Sequence, residues 1–316
     1  MMGEFELIRR FFYPVANAEA KPDVLLGPGD DCAIQTIPEG HELVFSMDTL
    51  VEGIHFPHQY TAEKLGWRSL ASAASDLAAM GATPVCFTLA LTLPEADVDW
   101  LRAFSKGLSD ASRQFGLALV GGDTTRGPLA LTLQVHGTVP AGSAIRRSGA
   151  TSGDLICVSG TLGDAGAALE FLHLESPTPE QADVLNRYHF PEPKLALGQS
   201  LRGVATAAID ISDGLVSDLR HLLLASGVAG RIAPETLPLS EALVSLRADA
   251  RELALYSGDD YELCVTLSEA ALAGLPECIR EQLTTIGRVH DGEGLGFEGY
   301  VEEGHETGYD HFGSVE

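Results

Sequence analysis

A chain of 316 residues is long enough for about two domains of the usual size, each with its own core. Apolar residues make up 45% and charged residues 21%, with 34 glycines and 16 prolines spread without a short period. These values exclude a disulfide miniprotein, a collagen and a wholly disordered chain. With 45 acidic against 20 basic side chains the net charge is -25, a surface that repels nucleic acid and anionic lipid unless metal ions intervene.

The five cysteines, Cys32, Cys86, Cys157, Cys264 and Cys278, are odd in number, widely separated and without a C-x-x-C pair. They read as reduced thiols, mostly in the core, of a cytoplasmic protein. The opening MMGEFELIRRFF carries Glu4 and Glu6 and lacks the apolar run of a signal peptide, and no segment reaches 18 uninterrupted apolar residues. The expectation is neither export nor a membrane span.

Runs rich in Val, Leu, Phe and Thr predict strands at 42–47, 85–93, 117–120 and 129–139. Among them, Leu101, Phe104, Leu108, Ala111 and Phe115 recur every three or four residues and predict a helix from about Asp97 to Gln114, stopped by Gly116. The polar, glycine-bearing stretch 141–153 marks the expected boundary between domains 1–142 and 143–316. Beyond it come a strand at 154–159, a glycine-punctuated turn at 160–166, a proline-rich interruption at 176–193 and a strand at 204–209. Leu215, Leu219, Leu222 and Leu223 then mark a helix, and 261–267 a further strand. Strands and helices intermixed without a regular βαβ rhythm predict an α+β fold of two domains, mixed sheets flanked by helices.

Aspartates recur where an ordinary fold would not put them. Asp30 and Asp31 sit between glycine and small apolar residues in Gly29-Asp30-Asp31-Cys32-Ala33, and Asp48 follows an apolar strand in Ser46-Met47-Asp48-Thr49. Asp76 is the only charge between Ser69 and Gly81, in a helix-like run of Ser, Ala, Leu, Met and Gly; buried alone it would cost several kcal/mol or take up a proton. Asp123 in Gly121-Gly122-Asp123-Thr124-Thr125 and Asp210 and Asp213 in Ile209-Asp210-Ile211-Ser212-Asp213-Gly214 again end apolar strands. Any one of these serves as a turn residue or helix cap, and Asp213 before Gly214-Leu215 is a good cap on its own. Together, without Cys or His clustering, they favour a hard divalent cation, Mg²⁺ rather than Zn²⁺.

Magnesium implies phosphate chemistry, but the usual machinery is missing. None of the four lysines, Lys21, Lys64, Lys106 and Lys194, precedes Ser or Thr, so there is no G-x-x-x-x-G-K-[ST] loop; H-R-D and D-F-G are absent as well. Gly160-Thr161-Leu162-Gly163-Asp164-Ala165-Gly166 reads as a plain strand-to-helix turn rather than a phosphate cradle.

The ordered series GDDCA, SMDTLVEGIHF, SDLAAMGATP, GGDTTRG, IDISDGL, SGDDYEL and GYDHF resembles the thiamine-monophosphate kinase family, of the aminoimidazole-ribonucleotide synthetase superfamily, from end to end. The resemblance implies a two-domain fold of that superfamily, ATP-dependent phosphorylation of thiamine monophosphate to thiamine diphosphate, and a homodimer joined through the N-terminal domains. Carried over motif by motif, it implies Mg²⁺ ligands at Asp30, Ser46, Asp48, Asp76, Asp123, Asp210 and Asp213, with Thr49 assisting. It implies ATP contacts at Gly122, Asp123, Arg147 and Ser212, and substrate contacts at His55, at either Asp259 or Asp260, and at Tyr309. Met47 stands where the family more often has Thr or Ser, so only its backbone carbonyl is expected to meet the metal. Lys106 stands where an aromatic near the adenine is expected and is placed among the ATP contacts; Asp259 replaces a commoner Glu.

The same superfamily offers a rival in ATP-using synthetases that activate an amide or carbamoyl oxygen. Hydrogenase-maturation relatives end in a reactive cysteine, whereas this chain ends Phe312-Gly313-Ser314-Val315-Glu316. An acidic metal-binding module without catalysis leaves the ordered motifs unexplained.

Overall fold

The computed structural model describes residues 3–299. It divides into two compact units, one running to Leu77 and over Ala82–Ala144, the other taking Ala78–Gly81 and continuing from Ile145. The passage at Ala144 falls inside the polar stretch 141–153.

In the first unit a short ladder, β1 (Val24–Leu26) with β2 (Ile34–Gln35), precedes four longer strands: β3 (His41–Val51), β4 (Thr83–Leu93), β5 (Ala118–Arg126) and β6 (Ala130–Pro140). They form one sheet in the order β3-β6-β4-β5, antiparallel except for β4 beside β5. The expected strands at 42–47 and 117–120 are too short. Both continue in register past their acids, so Asp48 opposes Leu133 and Asp123 opposes Ala90 inside the ladders rather than at strand ends. Alternation turns Asp48 towards the helix that carries Ser72 and sends its neighbours Met47 and Thr49 to the exposed face.

Helices Ala62–Ala79 and Val98–Phe115 supply the rest of this core through Leu65, Leu70, Leu77, Leu101, Phe104 and Leu108, all fully buried. They meet at glycines. A Cβ on Gly107 would stand 1.8 Å from the Glu63 carbonyl oxygen, so a close approach of the two backbones requires glycine there. The second helix is capped by Asp97, whose Oδ1 accepts the N–H groups of Asp99 (2.8 Å) and Trp100 (3.0 Å), and it ends at left-handed Gly116 as expected.

The second unit holds a six-stranded sheet of β7 (Leu155–Ser159), β8 (Ala207–Ile211), β9 (Ala229–Ile232), β10 (Glu262–Leu267), β11 (Leu283–His290) and β12 (Gly294–Phe297), in the order β12-β9-β11-β7-β10-β8. Strands β7, β8 and β10 are buried throughout, and Ile156, Val158, Ile209 and Ile211 pack with Leu215, Leu219 and Leu222 of the Leu215–Ser226 helix. Strand β8 lies further along the chain than the expected 204–209, because pairing with β10 carries it through Asp210 and Ile211. The proline-rich interruption at 176–193 contains a helix, Pro179–His189. Pro179 starts it instead of breaking it, and Thr178 with Gln181 forms a capping box.

Candidate functional site

On β3, Ser46 and Asp48 face the Ala62–Ala79 helix. The Ser46 hydroxyl donates to Asp76 Oδ2, and Ser72 Oγ donates to Asp48 Oδ2 at 3.0 Å. Ser72 and Asp76, one helical turn apart, thus present a hydroxyl and a carboxylate to their counterparts on the strand. Asp76, half-buried, is not isolated among apolar groups as its sequence context suggested. Met47 falls on the opposite face of the strand and is 61% exposed, its side chain sent away from Asp48 by the period of two; the expectation for it concerns its backbone carbonyl alone. Thr49 shares that outer face, its hydroxyl bonded to that of Thr132 at 2.8 Å.

The first unit also contains a cavity of about 830 Å³. Asp30, Asp31, Gly122 and Asp123 line it, which brings the GDDCA and GGDTT motifs to one place. Asp30 Oδ1 accepts the N–H of Asp31 (2.8 Å) and Asp123 Oδ1 that of Thr124 (2.9 Å), local bonds that orient each carboxylate. Gly122 has φ 147, and a Cβ there would lie 1.9 Å from the Leu89 carbonyl oxygen, so no other residue fits. Lys106 is not among the residues lining this cavity. It stands exposed on the Val98–Phe115 helix, holding Glu63 and Asp110 (3.0 Å), and the hydrogen bond to Glu63 raises its pKa. His55 accepts the Val51 N–H on Nδ1 at 2.9 Å, closing the turn after β3.

In the second unit Asp210 is buried within β8, with Ser212 and Asp213 half-buried in the turn that follows. The Leu215–Ser226 helix has Gly214, not Asp213, at its N-cap, without a side-chain cap. The anchor of the turn is Asp218, which sequence reasoning missed: its buried Oδ2 accepts the N–H groups of both Ser212 and Asp213 at 3.0 Å. An acid in a helix's first turn was the available signal. Burial, followed by the neighbouring Asp210 charge, pushes the Asp218 carboxyl up to about 7.

The SGDDYEL segment separates its two aspartates. Asp259, at φ 70, accepts the Tyr261 hydroxyl at 2.9 Å and stays half-buried. Asp260 is 5% exposed and accepts the Gly163 N–H on both oxygens, at 2.9 and 3.1 Å. Burial holds its carboxyl well above the usual carboxylate range. Asp260 therefore clamps the 160–166 turn, and Asp259 is the more accessible of the two. Glu262, fully buried, meets Ser159 (2.5 Å), Arg187 (2.6 Å) and Lys194 (3.2 Å). Arg147 is exposed, on a loop tied by Ser226, whose hydroxyl donates to the Arg147 carbonyl (2.9 Å) and accepts the Gly149 N–H (3.1 Å). Tyr309 lies outside the described residues.

Residues 29–139 match the AIR synthase related protein N-terminal domain and residues 151–299 the corresponding C-terminal domain. A thiamine-monophosphate kinase of Salmonella typhimurium is 46% identical over 98% of each chain. The crystal structure of a thiamine-monophosphate kinase from Stenotrophomonas maltophilia is 44% identical with a TM-score of 0.86, covering 93% of this chain and 96% of that one. AaThiL complexed with AMPPCP and TMP is 31% identical with a TM-score of 0.81, covering 98% and 97%.

Asp218 makes stability depend on pH. Its native pKa lies above the unfolded value, so the stabilisation it brings is complete below about pH 4 and is lost as pH rises towards 7. In metal-free buffer the stability of Asp218→Asn should gain on that of the unsubstituted protein by roughly 2–3 kcal/mol between pH 5 and pH 8, measured by urea unfolding. Parallel pH profiles for the two proteins would contradict this.

Proposed function

The chain belongs to the thiamine-monophosphate kinase family, within the AIR synthase related proteins, and we propose that it transfers the γ-phosphoryl group of ATP directly, in line, to the phosphate of thiamine monophosphate, giving thiamine diphosphate. The observation that carries this reading is the meeting of the GDDCA and GGDTT motifs round one cavity, Asp30 and Asp123 on its wall with Gly122 between strands. A phosphate monoester has its second pKa near 6, so at neutral pH its oxygen is mostly ionised and attacks without a general base. What the protein must supply is position and relief from repulsion between two anions.

The donor set suits Mg²⁺. It is made of oxygens only, and among the described residues no three acidic, His or Cys side chains form a ready cage, in keeping with an ion held by one or two carboxylates at a time together with phosphate oxygens. In the first unit Asp30, Asp48, Asp76 and Asp123, with Ser46, would hold such ions, and in the second unit, taken by itself, Asp210 and Asp213 would. When bound, Mg²⁺ neutralises the approaching phosphates. Gly122 lets the nucleotide approach the backbone, Ser212 offers a hydroxyl, and Arg147 supplies a cation for the phosphates. His55, Asp259 and Tyr309 are assigned to thiamine monophosphate.

We also infer a homodimer. Strand β3 is an edge of its sheet, and its outer face exposes Leu43, Phe45 and Met47 at 37, 60 and 61%, an apolar row that an isolated edge strand would normally interrupt with charge. Five free cysteines support a cytoplasmic location, and no described helix is long and apolar enough to cross a membrane.

Asp48→Asn and Asp123→Asn should each lower kcat by at least about 100-fold at saturating Mg²⁺ with an unchanged circular dichroism spectrum, since each removes a charged ligand from the transition state. Unphosphorylated thiamine should give no product, because its alcohol needs a base. Near-normal turnover in both variants, or comparable product from thiamine, would overturn the mechanism. For the dimer, sedimentation should find two chains per particle and one in Met47→Lys; a single-chain particle without the substitution would refute it.

A further inference from the structure

The loop between the Ala250–Tyr256 helix and β10, Ser257-Gly258-Asp259-Asp260-Tyr261, holds two of the three non-glycine residues with positive φ among those described, Asp259 at 70° and Tyr261 at 51°. Left-handed backbone suits glycine and, less well, aspartate; a tyrosine there is held by its surroundings, and such strain gathers at functional segments. Part of the hold comes from the backbone. The N–H of Asp259 donates to the Ser212 carbonyl at 2.9 Å and that of Tyr261 to the Ile211 carbonyl at 2.8 Å, which lays the loop along the turn of Ser212 and Asp213. Gly258 permits the approach, since a Cβ there would stand 2.3 Å from the Ser212 carbonyl oxygen.

The rest of the hold comes from side chains. Asp260 stands between the two strained residues and accepts the Gly163 N–H on both oxygens. Gly163 is a fixed post: a Cβ on it would lie 2.7 Å from the Ala254 nitrogen, and the adjoining Leu162 N–H donates to the Pro238 carbonyl at 3.1 Å. Asp164, next in the chain, accepts the hydroxyls of Thr161 at 2.7 Å and Ser240 at 2.5 Å. On the other side of Tyr261, Glu262 accepts from Arg187 of the Pro179–His189 helix and from Ser159, whose oxygen in turn accepts the Leu263 N–H at 2.9 Å. The stretch is thus pinned at 260 and at 262, and the Asp259 carboxylate stays half-buried, oriented by the Tyr261 hydroxyl at 2.9 Å.

We propose that Asp260 is a positioning residue: its bonds to Gly163 hold the left-handed backbone at 259 and 261 and so aim the Asp259 carboxylate at thiamine monophosphate. This rests on the kinase reading and on the assignment of Asp259 to that substrate. Asp260 itself is 5% exposed and committed to Gly163, so it acts through its neighbour. The adjacent turn has a separate anchor, because Asp218 accepts the N–H groups of Ser212 and Asp213. Loss of Asp260 therefore releases Asp259 and spares the residues assigned to Mg²⁺ and ATP.

Steady-state kinetics of Asp260→Asn, Asp260→Ala, Asp259→Ala and the variant with both alanines test this. Asparagine keeps an oxygen for the Gly163 N–H, so Asp260→Asn should behave nearly as the unsubstituted protein. Asp260→Ala should raise KM for thiamine monophosphate by about tenfold and leave KM for ATP within about twofold. With Asp259 already replaced, the second substitution should add nothing to that KM while still lowering Tm. Hydrogen exchange gives a reading independent of turnover: the amides of Asp259 and Tyr261 should exchange at least about tenfold faster in Asp260→Ala, with those at the centres of β7 and β10 unchanged. An unchanged KM for thiamine monophosphate in either single alanine variant, effects that multiply in the double variant, or exchange that rises evenly across the unit would return Asp260 to packing and overturn the proposal. Should Asp260→Ala not fold, Asp260→Ser, too short to reach Gly163, takes its place in every comparison. If the unsubstituted protein forms no product from ATP and thiamine monophosphate, the kinase reading fails and the proposal with it; product together with an unchanged KM in Asp260→Ala rejects the proposal alone.

Discussion

Repulsion between like charges is the constraint on which the rest of this structure depends. A chain with net charge -25 is proposed to bring two phosphate compounds together, and the residues it offers them are mostly carboxylates. Coulomb energy between unit charges at 4 Å is roughly 1 kcal/mol in water and several times that near a protein surface, so neither protein nor substrates tolerate the assembly without cations. Asp30 and Asp123 lining one cavity, and Asp48 on β3 facing the helix that carries Asp76, make sense as ligands for a divalent ion.

Carboxylates that repel one another have to be held, and the fold does this with neutral donors. In the first unit the hydroxyls of Ser46 and Ser72 hold Asp76 and Asp48, and backbone N–H groups hold Asp30 and Asp123. In the second, backbone N–H groups serve: Asp218 gathers those of Ser212 and Asp213, and Asp260 that of Gly163. Neutral donors orient an acid without cancelling its charge, so the charge remains for a metal. Glu262 shows the contrast. Surrounded by Arg187 and Lys194, it is internally neutralised and belongs to the packing of its unit.

Much of this was legible in the sequence, and the exceptions have physical reasons. Strands β4 and β6 were found nearly to the residue because their apolar runs are continuous, and the helix at 98–115 because its stripe and its cap agree. Helix Pro179–His189 was hidden because proline at a first turn and proline as a breaker look alike without the capping pair beside it. Asp260 and Lys106 depend on partners far along the chain, Gly163 in one case and Glu63 in the other, which local pattern does not reveal.

The central claim is that these acids serve the phosphates only through a divalent cation. Its most direct test is calorimetric titration of ATP with Mg²⁺ present and then in a chelating buffer of matched ionic strength. Removal of the cation should weaken binding by at least about 100-fold, equivalent to ~2.7 kcal/mol, with added NaCl unable to restore it. ATP bound equally tightly without divalent ions would contradict the account.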